Sequence, residues 1–187
     1  MAFSLPLWEK DGFLLRPARA EDAESYFHQN YLPLDPEVVR LTGCKSSFTH
    51  NEVVDFFLQS LEADDRRTFL LLAPAGRIVG ESVINEIDWT ARSANFRICL
   101  FHPEERSRGL GSWMVRTTRD FAFEGLKLHR LSLDVFSFNP RAERVYRAAG
   151  FQREGVLRDA LRTPNGYADD ILMSLLEDEW RLLRETE

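Results

Sequence analysis

The strongest limit on how this chain folds is a short apolar strand that runs into a glycine-broken, basic loop and then into a long amphipathic helix. The strand ends on Cys99-Leu100-Phe101, the loop reads His102-Pro103-Glu104-Glu105-Arg106-Ser107-Arg108-Gly109-Leu110-Gly111-Ser112, and the helix is expected from about Gly109 to Glu124. A helix N-terminus presents unpaired N–H groups and the positive end of the helix dipole. Gly109 and Gly111 let the backbone approach a ligand without Cβ clashes, and Arg106 and Arg108 add positive charge. Together these features suit an anion such as a pyrophosphate. The loop is not a P-loop, since no Lys-Ser/Thr follows Gly111, and it lacks the third glycine of the Rossmann fingerprint. Taken alone, it also reads as a glycine-eased turn with two solvated arginines.

The rest of the chain alternates strands and helices without a Pro/Gly/Ser linker. A strand is expected over Phe13–Arg16 and a helix over Ala20–Tyr31, with Pro33 and Pro36 breaking the chain after it. Thr49 and Glu52 have capping-box spacing ahead of a helix that presents Val53, Phe56, Phe57 and Leu61 on one face. Strands are expected over Thr68–Ala73, Ile78–Ile87 and Ala94–Phe101, and later over Leu131–Phe136. A helix over Pro140–Ala149 is stopped by Gly150. Strands Phe151–Leu157 and Asp170–Leu176 are joined by a turn at Asn165-Gly166, and Glu177–Arg184 closes the chain as a helix. This order predicts one mixed α/β sheet with helices on both faces. It predicts a single domain over residues 1–187, with a core from about 13 to 180.

Composition narrows the function classes. The net charge of −6, from 30 acidic and 24 basic residues, argues against a nucleic-acid partner. The apolar run Phe69–Ala73 is far too short to span a membrane, and Glu9, Lys10 and Asp11 interrupt any signal-like start. Cys44 and Cys99 are too few for a disulfide scaffold or a thiolate zinc site, and a cytoplasmic location is expected. His28, His50, His102 and His129 lack metal-ligand spacing, so no metal is expected.

Arg106-Ser107-Arg108-Gly109-Leu110-Gly111 matches an Arg/Gln-x-x-Gly-x-Gly/Ala motif. Asn139-Pro140-Arg141-Ala142-Glu143-Arg144-Val145-Tyr146-Arg147-Ala148-Ala149-Gly150-Phe151 has an Asn opening a helix, a Tyr seven residues on and Gly-Phe at its end. In both segments the chain resembles the GNAT acetyltransferases, and the likeness runs from Leu14-Arg16 to Trp180. Glu154-Gly155, Gly166 to Leu172 and Glu179-Trp180 resemble the RimJ/RimL-like branch, which acetylates ribosomal-protein N termini and spermidine. The resemblance implies a single, mostly antiparallel mixed central sheet flanked by helices. It implies acetyl-CoA as co-substrate, with the backbone of Cys99, Leu100 and Phe101 pairing with pantetheine. Arg106, Ser107, Arg108, Gly109, Leu110, Gly111 and Ser112 would hold the diphosphate, and Asn139 would contact the coenzyme arm. Tyr146 would sit by the thioester sulfur as general acid. On their own residue patterns, Asn139 also reads as a plain N-cap and Tyr146 as a core aromatic.

The implied reaction is direct acetyl transfer to a primary amine, either a protein N-terminal α-amine or a small amine or polyamine. The alternative is a non-catalytic acyl-CoA sensor with the same fold. No convincing covalent nucleophile is present: Cys99 lies in an apolar strand and Cys44 has no obvious partner. Deprotonating an α-amine of pKa near 8 at pH 7 costs about 1.4 kcal/mol, whereas an amine near 10.4 costs about 4.6 kcal/mol and calls for a carboxylate. Asp134, Glu86 and Glu81 are the candidates. Asp134 stands where some relatives carry a catalytic Glu, and Glu86 and Glu81 lie on the strand that faces the acceptor in relatives. The acceptor groove would draw on Tyr31, Glu81 and Tyr167, with Asp35, Glu37, Asp169 and Asp170 nearby. Family habit makes a homodimer an expectation.

Overall fold

A computed structural model describes residues 6–185, so the outermost residues of the predicted 1–187 domain lie outside the described part. Eight strands form one sheet: β1 (Trp8–Lys10), β2 (Phe13–Pro17), β3 (Arg67–Leu72), β4 (Ile78–Asp88), β5 (Ser93–Leu100), β6 (Arg130–Phe136), β7 (Gln152–Thr163) and β8 (Gly166–Leu176). Their spatial order is β1-β2-β3-β4-β5-β6-β8-β7. Every neighbouring pair is antiparallel except β5 with β6. The helices are α1 (Ala23–Asn30), α2 (Pro36–Thr42), α3 (His50–Glu62), α4 (Leu110–Asp120), α5 (Pro140–Ala148) and α6 (Glu177–Arg184). The expected mixed, mostly antiparallel sheet with helices on both faces is what forms.

Strand β3 shows why helices cover both faces. Leu70 packs with Tyr26 and Phe57 from α1 and α3, while Phe69 and Leu71 pack with Leu110 and Met114 from α4. Successive side chains point to opposite faces, so an unbroken apolar run demands cover on both. A third cluster joins β6 and β8 to α5 and α6 through Leu131, Leu133, Met173, Tyr146 and Trp180.

Several elements differ from expectation for local reasons. Pro36 does not break the chain but begins α2, with Asp35 as an N-cap accepting from the Glu37 and Val38 amides. A proline at the first helical position loses no hydrogen bond. Thr49 and Glu52 form the expected capping box, but Phe56 is 55% exposed and Val54 takes its place on the buried face. The long helix after the loop ends at Asp120 and continues as one π turn, Phe121–Gly125. An additional hairpin, β1–β2, turns on Asp11 and Gly12, both left-handed. The last hairpin pairs out to Thr163 and Gly166, so its turn is Pro164-Asn165 rather than Asn165-Gly166.

The feature that positions the site is the β5–β6 contact. These strands pair only at Ser93–Arg130, Ala94–Leu131 and Asn95–Ser132. Beyond that, β5 stays with β4 as far as Leu100 and β6 stays with β8 as far as Phe136, so the two strands part as a wedge. Gly80 permits the β4–β5 approach here, because a Cβ at this position would lie 2.7 Å from the Cys99 carbonyl and 3.0 Å from Leu100 Cδ2. Gly80→Ala is therefore expected to cost about 1–3 kcal/mol in urea unfolding. Gly155→Ala, where a Cβ meets no atom within 4 Å, is expected to change stability by less than half as much.

Candidate active site

The wedge opens into a cleft of about 660 Å³. One wall is the free edge of β5, where Cys99 and Leu100 line it, and the opposite wall is β6 from Asp134 to Phe136. The loop before α4 closes one end and the first turns of α5 lie along the side.

The loop before α4 coils tightly, and both of its arginines pair with carboxylates. Ser107 (φ 62°) and Gly109 (φ 76°) are left-handed and coil the chain just ahead of α4. The first-turn amides of α4 have no intrahelical acceptors, and Ser107, Gly109, Gly111 and Ser112 line the cleft. A Cβ on Gly109 would meet no atom within 4 Å, and one on Gly111 only Leu100 Cδ1 at 3.8 Å. The missing side chains therefore leave open space beside the helix terminus rather than relieve internal crowding. Leu110 points into the core and is 2% exposed. Arg108 turns away, its guanidinium 4.9 Å above the Phe13 ring and donating to Glu105 Oε2 at 2.6 Å. Arg106 lines the cleft but donates to Asp35 Oδ1 at 3.0 Å and to the Leu100 carbonyl at 3.4 Å. The pairing holds the Asp35 carboxyl below its usual range against the opposing effect of burial. The positive character of this corner thus comes mainly from the backbone and helix dipole.

On β5, Cys99 lines the cleft, and burial followed by the charge of Glu81 pushes its thiol up, so it stays protonated at neutral pH. A protonated thiol is a poor nucleophile. Phe101 lies in the core, its amide donating to the Val79 carbonyl and its ring packed edge-on against Tyr26. On α5, Asn139 fills its capping role by accepting from the Ala142 amide at 3.2 Å and also lines the cleft. Tyr146 is 7% exposed yet lines the cleft as well. Burial first, then the charge of Asp134, raise its hydroxyl, so Tyr146 holds its proton as a donor.

Carboxylates gather on the remaining walls. Asp134, Glu81 and Glu86 all line the cleft. Glu86 sits at a left-handed bend (φ 54°) and accepts from Asn85 Nδ2. Glu81 accepts from the Tyr26 hydroxyl at 2.7 Å, and Tyr26 and Tyr31 meet oxygen to oxygen at 3.3 Å. Tyr31 thus approaches the site through this chain, with burial raising its own hydroxyl. Tyr167 is 64% exposed near the hairpin turn and is not among the cleft residues. Glu37 pairs with Arg40, and Asp169 accepts from the Asp159 amide. Among the described residues no group of His, Cys, Asp and Glu is arranged to hold a metal, and no helix is long and apolar enough to cross a membrane.

The wall that α2 supplies through Val38, Leu41 and Thr42 is not legible in the sequence, where Pro36 reads as a break rather than a start. Asn95 and Arg141 are further cleft residues outside the predicted set. Arg141 carried a usable signal, since a cation in a helix's first turn opposes the dipole.

A family described as acetyltransferase (GNAT) domain matches residues 13–152. Among curated proteins, the chain is 26% identical over 130 residues to the spermidine N(1)-acetyltransferase of Vibrio cholerae serotype O1, covering 70% of this chain and 75% of that protein. It is 28% identical over 166 residues to the spermidine N(1)-acetyltransferase of Escherichia coli K12, covering 89% and 87%. Among solved structures, V. cholerae spermidine N-acetyltransferase in complex with CoA and spermine superposes with a TM-score of 0.81 at 22% identity, covering 92% of this chain and 99% of that one. Ribosomal-protein-S5-alanine acetyltransferase from Vibrio fischeri gives 0.81 at 22% identity, covering 94% and 98%. At such identity the structural likeness speaks for the fold.

Proposed function

This chain belongs to the GNAT acetyltransferase family, and from that premise we propose that it moves an acetyl group directly onto a primary amine of a small polyamine. The observation that carries the acceptor class is the charge facing the cleft from β4 and β6, where Glu81, Glu86 and Asp134 all contribute carboxylates. A polyamine is a chain of ammonium groups, and carboxylates in a partly dry cleft both attract it and take up its proton. The spermidine acetyltransferases among the relatives support the same class. The RimJ/RimL-like branch, suggested by Glu154-Gly155 and Glu179-Trp180, is part of this reading, as is one acetyltransferase domain along the whole chain.

Acetyl-CoA is the donor. The residues fit it: the open space at Gly109 meets an amide-rich helix terminus, and a free strand edge runs from there toward Tyr146. The bound donor supplies an acetyl thioester as electrophile. In our assignment the amides of residues 107–112 hold the diphosphate, with Arg106 beside them. Arg108 stays outside, and Leu110 contributes backbone alone. The edge of β5 at Leu100, left without a β6 partner beyond Asn95, takes the pantetheine amides, while Cys99, whose register partner is Glu81 on β4, lines the cleft beside it. Phe101 shapes the end of that edge from the core, and Asn139 contacts the arm from its cap position. Tyr146, whose phenol keeps its proton, protonates the departing thiolate. Asp134 takes the proton of the amine, while Glu86 and Glu81 hold the rest of the cation, with Tyr31 steadying Glu81 through Tyr26. Tyr167 meets only a substrate long enough to reach the hairpin. The protonated state of Cys99 supports direct attack over an acetylated-enzyme route.

Thiol release from acetyl-CoA is expected with spermidine and spermine and at least tenfold less with Ser-, Ala- or Asp-starting peptides. The reverse preference overturns the polyamine assignment in favour of a protein α-amine, and CoA binding without turnover on any amine marks a sensor. Gly109→Asn, which tolerates the left-handed backbone but fills the open space, is expected to weaken acetyl-CoA binding at least tenfold by calorimetry with an unchanged unfolding midpoint. Tyr146→Phe is expected to lower kcat about 100-fold, within the range of general-acid losses, with donor affinity changed less than threefold.

A further inference from the structure

A second carboxylate lies behind Asp134 and is not needed to explain the cleft. In the unbroken β6–β8 ladder, Asp134 faces Leu172 and Phe136 faces Asp170. Paired residues share a face, and so do alternate residues along each strand, so Asp134 and Asp170 are diagonal neighbours on one face. It is the face opposite the one on which Leu133, Val135, Ile171 and Met173 join α5 in the core. We infer that Asp134 and Asp170 form one proton-holding pair, in which Asp170 is a positioning residue that shares the proton Asp134 takes from the acceptor amine.

Asp170 Oδ1 is buried and has no hydrogen-bond partner among the described residues. No compensating cation meets it from the surrounding elements. Its β7 partner is Leu157, which carries no charge. From the α2 end, Arg40 pairs with Glu37 and stacks over Phe138, Lys45 pairs with Glu52, and Cys44 is a free thiol. From α5, Tyr146 feels the charge of Asp134. Across the cleft, β4 and β5 bring Glu81, Glu86 and the guanidinium of Arg97. Burial first, and then the charge of Asp134, raise the Asp170 carboxyl to about 6. Two neighbouring carboxylates resist being ionised together, and the proton they accept belongs to both.

The pair rests on the amine-acetylating reading, and the proton balance is as follows. An N–H bond of the ammonium breaks and its proton passes to the carboxylate pair. The freed lone pair forms the C–N bond at the acetyl carbonyl, and the C–S bond breaks with its electrons moving to sulfur. Tyr146 gives its proton to that sulfur and recovers one from the acylated nitrogen. The pair releases its proton to water.

The pair is tested first without any acceptor, by carbon-13 NMR titration of the aspartate carboxyls in the full-length protein. Asp170 is expected to titrate near 6, and Asp134→Asn is expected to move that step down toward the ordinary carboxylate range. An Asp170 step that Asp134→Asn leaves in place overturns the pair, whichever amine the enzyme accepts. With spermidine, Asp170→Asn is expected to lower kcat at least tenfold and to move the acid limb of kcat/KM down by a unit or more. Acetyl-CoA affinity is expected to stay constant, and Asp170→Glu to restore most of the rate. An acid limb that does not move in Asp170→Asn overturns the role in catalysis, and heat unfolding of both variants confirms that they fold.

Discussion

Only three residue pairs hold β5 against β6, and the site exists because there are no more. Strands that share a sheet normally satisfy their backbone groups on each other, so a parted pair leaves edge N–H and C=O groups without a strand partner. The closed end of the wedge is pinned hard. The Arg92 carbonyl accepts from the amides of both His129 and Arg130, and its side chain donates to the Lys127 carbonyl and to Glu177. Ser132 Oγ adds a bond to the Ala94 carbonyl just before the strands separate. A rigid hinge point with two independently supported walls keeps the gap open at no cost in disorder, because each wall is tied to its outer neighbour, β5 to β4 and β6 to β8.

Electrostatics then divide the wedge. At one end the unpaired amides at the start of α4 and two left-handed residues favour an anion. On the β4 and β6 walls carboxylates favour a cation. The two ends meet at Tyr146, where burial keeps a phenol protonated. Arg106 links the halves mechanically, since it binds Asp35, and Asp35 caps α2, which lines the cleft. The arginine therefore helps to hold the glycine loop and the α2 wall in one register.

Much of this was legible in the chain. The unbroken apolar run Phe69–Ala73, the Thr49–Glu52 capping box, the helix start at Asn139-Pro140 and the glycine loop are local signals, and each produced the expected element. Less legible were elements whose stabilisation is not local. Helix α2 hid behind a proline that serves equally well as a breaker or as a first helical residue. The far ends of β7 and β8 lack apolar alternation because they stand in solvent, and only their mutual pairing reveals them.

The sequence by itself determined the local ingredients of the cleft: glycine freedom and a helix N-terminus at the loop, and a tyrosine seven residues after the Asn139 cap, are properties of covalent structure and short-range geometry. The tertiary structure alone decided how the charged side chains are used. Arg108 is drawn away by Glu105 and Phe13, Arg106 is taken by Asp35, and Asp134 is set beside Asp170. Apart from Glu105, which is local to Arg108, the partners lie tens of residues away, and the outcome also depends on how much water each group loses. Neither quantity is present in the local spacing of residues along the chain.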